Sequence, residues 1–299
     1  GCLDADSLVQ SRDTQGDVGT TISTPQEMSR DGLLDVARAG LKRAQEAART
    51  LEEYSKVVAR PVDGAAAPGR FAQIRYGLYT LEKAILTAVS IGQRLEGRSL
   101  YLLLTRELCQ LDWEIVLREA IAGGVGIVQI REKSMADGEL LAHSRCVREI
   151  TRESGTLLIM NDRPDLAVLA DCDGVHVGQE ELSVRDVRRI AGPDRLVGVS
   201  THSIEQARQA VLDGASCLGI GPVFPSQTKQ FEEFAGLDFV SQVADEISLP
   251  AFPIGGIDGE NLDKVLAAGA SRIAVSGAVC RSQNPRQAAA DLCGKLARQ

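Results

Sequence analysis

The sequence predicts an α/β protein: a (β/α)8 TIM barrel preceded by a small α-helical hairpin. Three observations carry this prediction. From Ser99 onward, short apolar segments rich in branched residues alternate with amphipathic stretches, the pattern of parallel strands joined by helices. Eight such repeats fill about 200 residues, near the lower length limit of a compact barrel. Before Ser99 the apolar residues recur at helical spacing instead. A doubly wound open sheet is the alternative, but no G-x-G-x-x-G turn follows the first strand. Two domains are expected: residues 1–98, a helical accessory domain with a polar N-terminal arm, and residues 99–299, the barrel.

Taken in order, residues 1–22 are polar and without period, and read as a loop or mobile arm. The stretch "TPQE" offers a capping box, with Thr24 as N-cap, Pro25 at the first helical position and Glu27 reaching back. Ala37, Leu41, Ala44, Ala48 and Leu51 then mark one helical face, with Gly32 and Gly40 leaving room for a break. Phe71, Ile74, Leu78, Leu81 and Ile85 mark a second face, expected to end at Gly92. A short Gly/Pro-containing loop joins the two as an αα-hairpin, which cannot bury its apolar faces alone. The eight strands are "LYLLLT" from Leu100, "GIVQIR" from Gly126, "TLLIMN" from Thr156, "GVHVG" from Gly174, "LVGVS" from Leu196, "CLGIG" from Cys217, "AFPIG" from Ala251 and "RIAVSG" from Arg272. Helical stretches between them begin near Asp137, Ser203 and Asp258.

The chain has 299 residues, is 44% hydrophobic and carries a net charge of −8. That charge leaves no global positive field for nucleic acid or an anionic membrane, so any anion must be caught locally. Seven scattered cysteines without a C-x-x-C pair argue against a disulfide framework or structural zinc, and a reducing cytoplasm is the expected location. No apolar stretch approaches the ~20 residues of a membrane span.

The polar residues gather where the strands end. Gln129, Arg131 and Lys133 follow strand two, Asn161 and Asp162 strand three, His176, Gln179 and Glu181 strand four, and Ser200 strand five. Ser226, Thr228 and Lys229 follow strand six, Gly255 and Gly256 strand seven, and Ser276 and Gly277 close strand eight. Taken singly, "REK" reads as a solvated cluster, Asn161-Asp162 as a helix cap and His176 as a satisfied core residue. In a barrel, however, all these ends share one rim, where active sites of this fold are built. Cations on two loops beside Asp162 and Glu181, oxygen donors suited to Mg2+, fit a pyrophosphate. The glycines after strand seven and "VSG" after strand eight present backbone N–H groups suited to a monophosphate. No serine or cysteine stands in a recognisable triad setting.

In this order, "VQIREK", "LIMNDRPDLA", "DGVHVGQEEL", "GVSTHS", "GIGPVFPSQTK", "PIGGI" and "VSGAV" resemble the thiamine phosphate synthase family over roughly residues 99–297. The resemblance implies a Mg2+-assisted transferase that joins hydroxymethylpyrimidine diphosphate to hydroxyethylthiazole phosphate, releasing pyrophosphate by a dissociative mechanism. It assigns Asp162 and Glu181 to the metal, and Arg131, Lys133, Asn161 and Lys229 to the pyrophosphate. Gln129, Ser200 and His176 then face the pyrimidine, and Ser226, Thr228, Gly255, Gly256, Val275 and Ser276 the thiazole phosphate. Arg131, Lys133, Ser200 and Lys229 are expected to carry the catalysis. Glu181 stands where the family usually has Asp, Ser226 where Thr is common, and Gln230 where a second Lys is frequent.

Residues around "LKRAQEAARTLEEYSKV" and "IRYGLYTLEKAI" are similar to a helical domain fused to some of these synthases, and are expected to serve packing, dimerisation or contact with a pathway enzyme. Two rival readings stay open at this point. One is a thiazole tautomerase of the same fold, which has no use for a pyrophosphate cradle. The other is a non-catalytic barrel that binds thiamine phosphate.

Overall fold

The structure is a computed structural model that describes residues 32–58, 66–225 and 234–298. The N-terminal arm, the capping box at Thr24 and the residues Ser226, Thr228 and Lys229 lie outside the described residues. The chain divides into two compact units, Gly1–Thr87 and Ala88–Gln299.

In the first unit two helices, α1 (Leu33–Val58) and the larger part of α2 (Ala66–Leu95), pack together. Polar pairs tie them to each other. Gln45, 4% exposed, donates to Glu82 Oε2 at 2.9 Å, and Arg75 Nε donates to Glu52 Oε2 at 2.9 Å while its guanidinium covers the Tyr76 ring at 4.6 Å. Of the expected apolar stripes Ala48 is buried, but Leu51, Ile74 and Leu81 are about half exposed. Two helices enclose only the narrow seam between them, and here the polar pairs take part of it. α1 runs unbroken through Gly40, and α2 continues past Gly92 to Leu95.

That extension is explained within the second unit. Ile91 and Leu95 (1% exposed) join one buried cluster with Tyr101, Ile127, Leu157, Leu196 and Phe252, residues that point into the barrel. A glycine inside a helix costs about 1 kcal/mol. Burying a leucine returns about 1.5–3 kcal/mol, so the helix holds. Arg94 Nη1 and Nη2 then donate to the carbonyls of Asp194 and Asp173, at 2.8 and 3.3 Å, in loops that precede strands. The last turns of α2 therefore close the end of the barrel at which strands start.

The barrel strands are β1 (Leu100–Leu104), β2 (Ile127–Ile130), β3 (Leu157–Asn161), β4 (Gly174–Val177), β5 (Leu196–Thr201), β6 (Cys217–Ile220), β7 (Ala251–Pro253) and β8 (Ile273–Val275). All ladders are parallel in the order β7-β6-β5-β4-β3-β2-β1-β8, and β7 lies beside β8, so the barrel is nearly closed. The interleaved helices are α3 (Trp113–Ala122), α4 (Asp137–Ser154), α5 (Pro164–Leu169), α6 (Val184–Ala191), α7 (Ile204–Leu212), α8 (Gly236–Glu246), α9 (Leu262–Ala267), α10 (Gly277–Cys280) and α11 (Pro285–Leu296). Each expected strand is present with its start displaced by no more than one residue. Alternate residues such as Leu102, Val128, Leu158, Val175 and Leu218 pack against these helices in the larger core. Their neighbours face the barrel axis.

Leu95→Ala should lower the stability of the barrel unit by about 3 kcal/mol, read from urea unfolding. A fragment beginning at Ala88 should fold more stably than one beginning at Ser99, which lacks the plug.

Candidate active site

The strand ends open into a cavity of about 700 Å3 whose floor is set by the inward-facing residues. On β2, Ile127 and Gln129 point in, and the same alternation carries Arg131 and Lys133 to the mouth. Gln129 is 2% exposed and its amide Nε2 donates to the Tyr101 hydroxyl at 2.8 Å. Tyr101 meets Phe252 edge-on at 5.2 Å. His176 faces inward from β4, and Gly198 beside it on β5 makes room for the ring: a Cβ there would lie 2.4 Å from His176 Nδ1. His176 Nε2 pairs with Ser200 Oγ at 2.9 Å, and Nδ1 has no partner among the described residues. Burial pushes His176 down to about 4, so the ring is neutral at pH 7. Gln179 Nε2 donates to the Ser200 carbonyl at 2.6 Å and holds that strand end in place.

The charged rim shows how "REK" divides. Arg131 and Lys133 line the mouth and form no ion pair with a described residue, whereas Glu132 turns the other way and accepts from the Arg106 N–H at 2.6 Å. Asp162 has a left-handed φ of 61°, an uncommon conformation for a side-chain-bearing residue, and its N–H donates to the His176 carbonyl at 2.8 Å. The N-cap of α5 is Arg163, so Asp162 caps no helix. Asn161 Nδ2 donates to Asp162 Oδ2. Burial raises the Asp162 pKa, the neighbouring Glu181 carboxylate raises it further, and Lys133 and Arg131 oppose both. Glu181 folds back onto the end of β4, where a Cβ on Gly178 would come within 2.4 Å of its Oε2. Among the described residues no group of three or more His, Cys, Asp or Glu side chains could enclose a metal. Any metal held here would therefore rely on this carboxylate pair and on groups brought by its ligand or by water.

Across the mouth, Gly255 and Gly256 adopt φ values of 104° and 61°, and a Cβ on Gly256 would lie 2.3 Å from the Pro225 carbonyl. Among the described residues neither glycine N–H donates to an acceptor. The Ser276 hydroxyl donates to the Leu103 carbonyl at 2.9 Å, and the Val275 side chain packs in the outer core, so what both offer the cavity is backbone. Sequence reasoning missed Tyr101, Gly178, His202 and Arg281, which also line the mouth. The inward alternation from Leu103 back to Tyr101 is the signal that would have found the tyrosine. Gln179 was visible among the polar residues that end β4, but its sequence position assigned it no role.

Comparison with known proteins agrees with this geometry. A family model described as thiamine monophosphate synthase matches residues 100–279, and one described as the ThiD2 family matches residues 3–84. The thiamine-phosphate synthase of Synechocystis sp. is 39% identical over 293 residues, covering 98% of this chain and 83% of that protein. That of Gloeobacter violaceus is 40% identical over 298 residues, covering 100% of this chain and 85% of that protein. The solved structure of thiamine phosphate pyrophosphorylase from Pyrococcus furiosus superposes with a TM-score of 0.63 at 31% identity, covering 69% of this chain and 98% of that one. Barrel, mouth and near full-length similarity converge: the chain belongs to the thiamine monophosphate synthase family.

Proposed function

We propose that the barrel mouth joins hydroxymethylpyrimidine diphosphate to hydroxyethylthiazole phosphate, giving thiamine phosphate and pyrophosphate, with roles divided between its two sides. The observation that carries this reading is a juxtaposition at the rim. Arg131 and Lys133, cations without ionic partners among the described residues, stand with two carboxylates crowded together, Asp162 and Glu181. Such a rim is electrostatically incomplete until it receives both an anion and a cation. With Asn161 and Lys229, the cations take the departing pyrophosphate. The facing carboxylates suit a Mg2+ ion, because Mg2+ commonly binds through one or two carboxylates together with substrate phosphates and water. Bound there, Mg2+ would neutralise part of the charge that builds on the leaving group.

The remaining residues position and protect. The bond from the pyrimidine methylene to the diphosphate oxygen breaks with its electron pair leaving on pyrophosphate. The thiazole nitrogen then supplies the pair for the new C–N bond. A positive charge develops on the pyrimidine methylene, and the neutral His176 ring adds no repulsion beside it. Gln129, oriented by Tyr101, and Ser200, oriented by His176, face the pyrimidine. The N–H groups of Gly255 and Gly256, the backbone at Val275 and Ser276, and the Ser226 and Thr228 hydroxyls hold the thiazole phosphate. The free thiols of the described cysteines fit a reducing compartment such as the cytoplasm. No described helix is long and apolar enough to cross a membrane. The N-terminal helices serve assembly or contact with a pathway enzyme.

Mixing the protein with both phosphorylated precursors and Mg2+ should release thiamine phosphate and pyrophosphate in equal amounts, and chelation by EDTA should stop it. Pyrophosphate without thiamine phosphate would refute the reading. Asp162→Asn should cut kcat by about 100-fold and raise the Mg2+ concentration needed for half activity, checked by metal titration of the rate. A separate expectation concerns stability. The folded pKa of His176 is about 4, below the ~6.5 of an exposed imidazole, so the unfolded chain binds more protons between these values. The urea midpoint should therefore fall as pH drops from 7 to 5, and His176→Gln should make that fall shallower.

A further inference from the structure

We infer that Cys109 and Cys280 form a reversible disulfide that weakens binding of the thiazole phosphate. The effect on binding rests on the reading of the β7–β8 side of the mouth as the thiazole phosphate subsite, whereas formation of the disulfide does not. Neither cysteine lines the cavity, and the proposed reaction uses neither. Cys109 follows the short helical turn Arg106–Leu108 beyond β1 and is partly exposed, while Cys280 ends α10 and is buried. The Gln110 N–H donates to the Cys280 carbonyl at 2.8 Å. Planar peptide geometry on both sides of that bond holds the two cysteine Cα atoms within about 6 Å of each other, inside the ~4.4–6.8 Å that a disulfide usually spans. Both side chains turn to the same strand end. The Cys109 Sγ lies 3.4 Å from the Thr105 carbonyl oxygen and the Cys280 Sγ 3.7 Å from that of Leu103, and the two thiols hydrogen-bond to each other.

The bond between the thiols prepares them for oxidation. Donation from the Cys109 S–H holds the Cys280 thiol below its usual pKa, and the same bond raises that of Cys109. One proton of the pair therefore leaves more readily than from a lone thiol, and the other stays between the two sulfurs. A low-molecular-weight disulfide such as oxidised glutathione reaches the partly exposed Cys109. The Cys109 sulfur attacks one glutathione sulfur, forming a mixed disulfide and expelling the first glutathione as its thiolate. Cys280 then attacks the Cys109 sulfur and expels the second. Two cysteine thiols are oxidised, one external disulfide is reduced, and the two cysteine protons pass to the glutathione thiolates. α10 carries the change to the site. It is a single turn in which the Cys280 N–H donates to the Ser276 carbonyl at 2.9 Å, and the Ser276 hydroxyl and Cys280 thiol share the Leu103 carbonyl. Drawing Cys280 to bonding distance of Cys109 takes its thiol off that carbonyl and shifts Ser276 and Gly277, which line the cavity.

The test incubates the full chain with oxidised glutathione and maps its disulfides by mass spectrometry without reduction. A Cys109–Cys280 link should form, and dithiothreitol should remove it. In step with the link, KM for the thiazole phosphate should rise about fivefold and return on reduction, while KM for the pyrimidine diphosphate stays as it is. Cys109→Ser should keep the native KM values under reducing conditions and lose their response to oxidation. Glutathione retained on Cys109 without the internal link, or links confined to other cysteines, would overturn the inference. So would a Cys109–Cys280 link that leaves KM for the thiazole phosphate unchanged, or a full response to oxidation in Cys109→Ser. If Cys109→Ser does not fold, the mapped link and the KM of the native protein decide together in the same way. Reduced native protein that does not turn over the thiazole phosphate would instead overturn the subsite reading, and the mapped link would still decide whether the disulfide forms.

Discussion

Side-chain alternation in a closed parallel barrel is the constraint on which this site depends. A strand has only two faces, and seven of the eight strands here carry apolar residues on the outward one, packed under the helices. The inward set must then fill the axis, and where the axis opens at the strand ends it forms the cavity mouth. Ile127, Gln129, Arg131 and Lys133 show the progression along one chain segment, from apolar plug through oriented amide to uncovered cations. Glu132, of opposite parity, is directed away and bound by the Arg106 amide. A shift of one residue in the register of β2 would exchange those roles and leave a carboxylate where the two cations now stand.

Space and charge are arranged together within that frame. Gly198 and Gly178 give up their side chains to admit His176 and Glu181, at distances where a Cβ would collide. The imidazole so admitted is kept neutral by burial, and the Glu181 carboxylate so admitted raises the pKa of its neighbour Asp162. Both conditions are costly in an empty site and useful in a filled one. The opposite end of the barrel is closed by Leu95 and Ile91, so the cavity is entered from the end at which the strands finish.

Much of this was legible in the chain. Strand periodicity located all eight strands, and the expected site residues that the structure describes all line the cavity, although Tyr101, Gly178, His202 and Arg281 were not among them. What was not legible depended on three-dimensional competition. The continuation of α2 beyond Gly92 follows from a burial site for Leu95 built by residues 101–252, which helical propensity cannot see. The exposure of Leu51 and Ile74 follows from the narrowness of a two-helix seam. Asp162 reads as a helix cap in sequence because its left-handed backbone and its link to the His176 carbonyl come from the neighbouring strand. Arg281 follows a serine-glycine pair by only a few residues, and nothing in its local sequence says that its side chain turns back to the cavity.

If the rim accepts an anion and a divalent cation as one unit, each should strengthen the binding of the other. Calorimetric titration of the native protein with inorganic pyrophosphate, in the presence and absence of Mg2+, measures that coupling. Binding should be strong with Mg2+ and weakened at least tenfold without it, because the crowded carboxylates then lack their neutralising ion. Pyrophosphate binding of equal strength in both conditions, or none in a folded protein that still binds thiazole phosphate, would contradict that coupling.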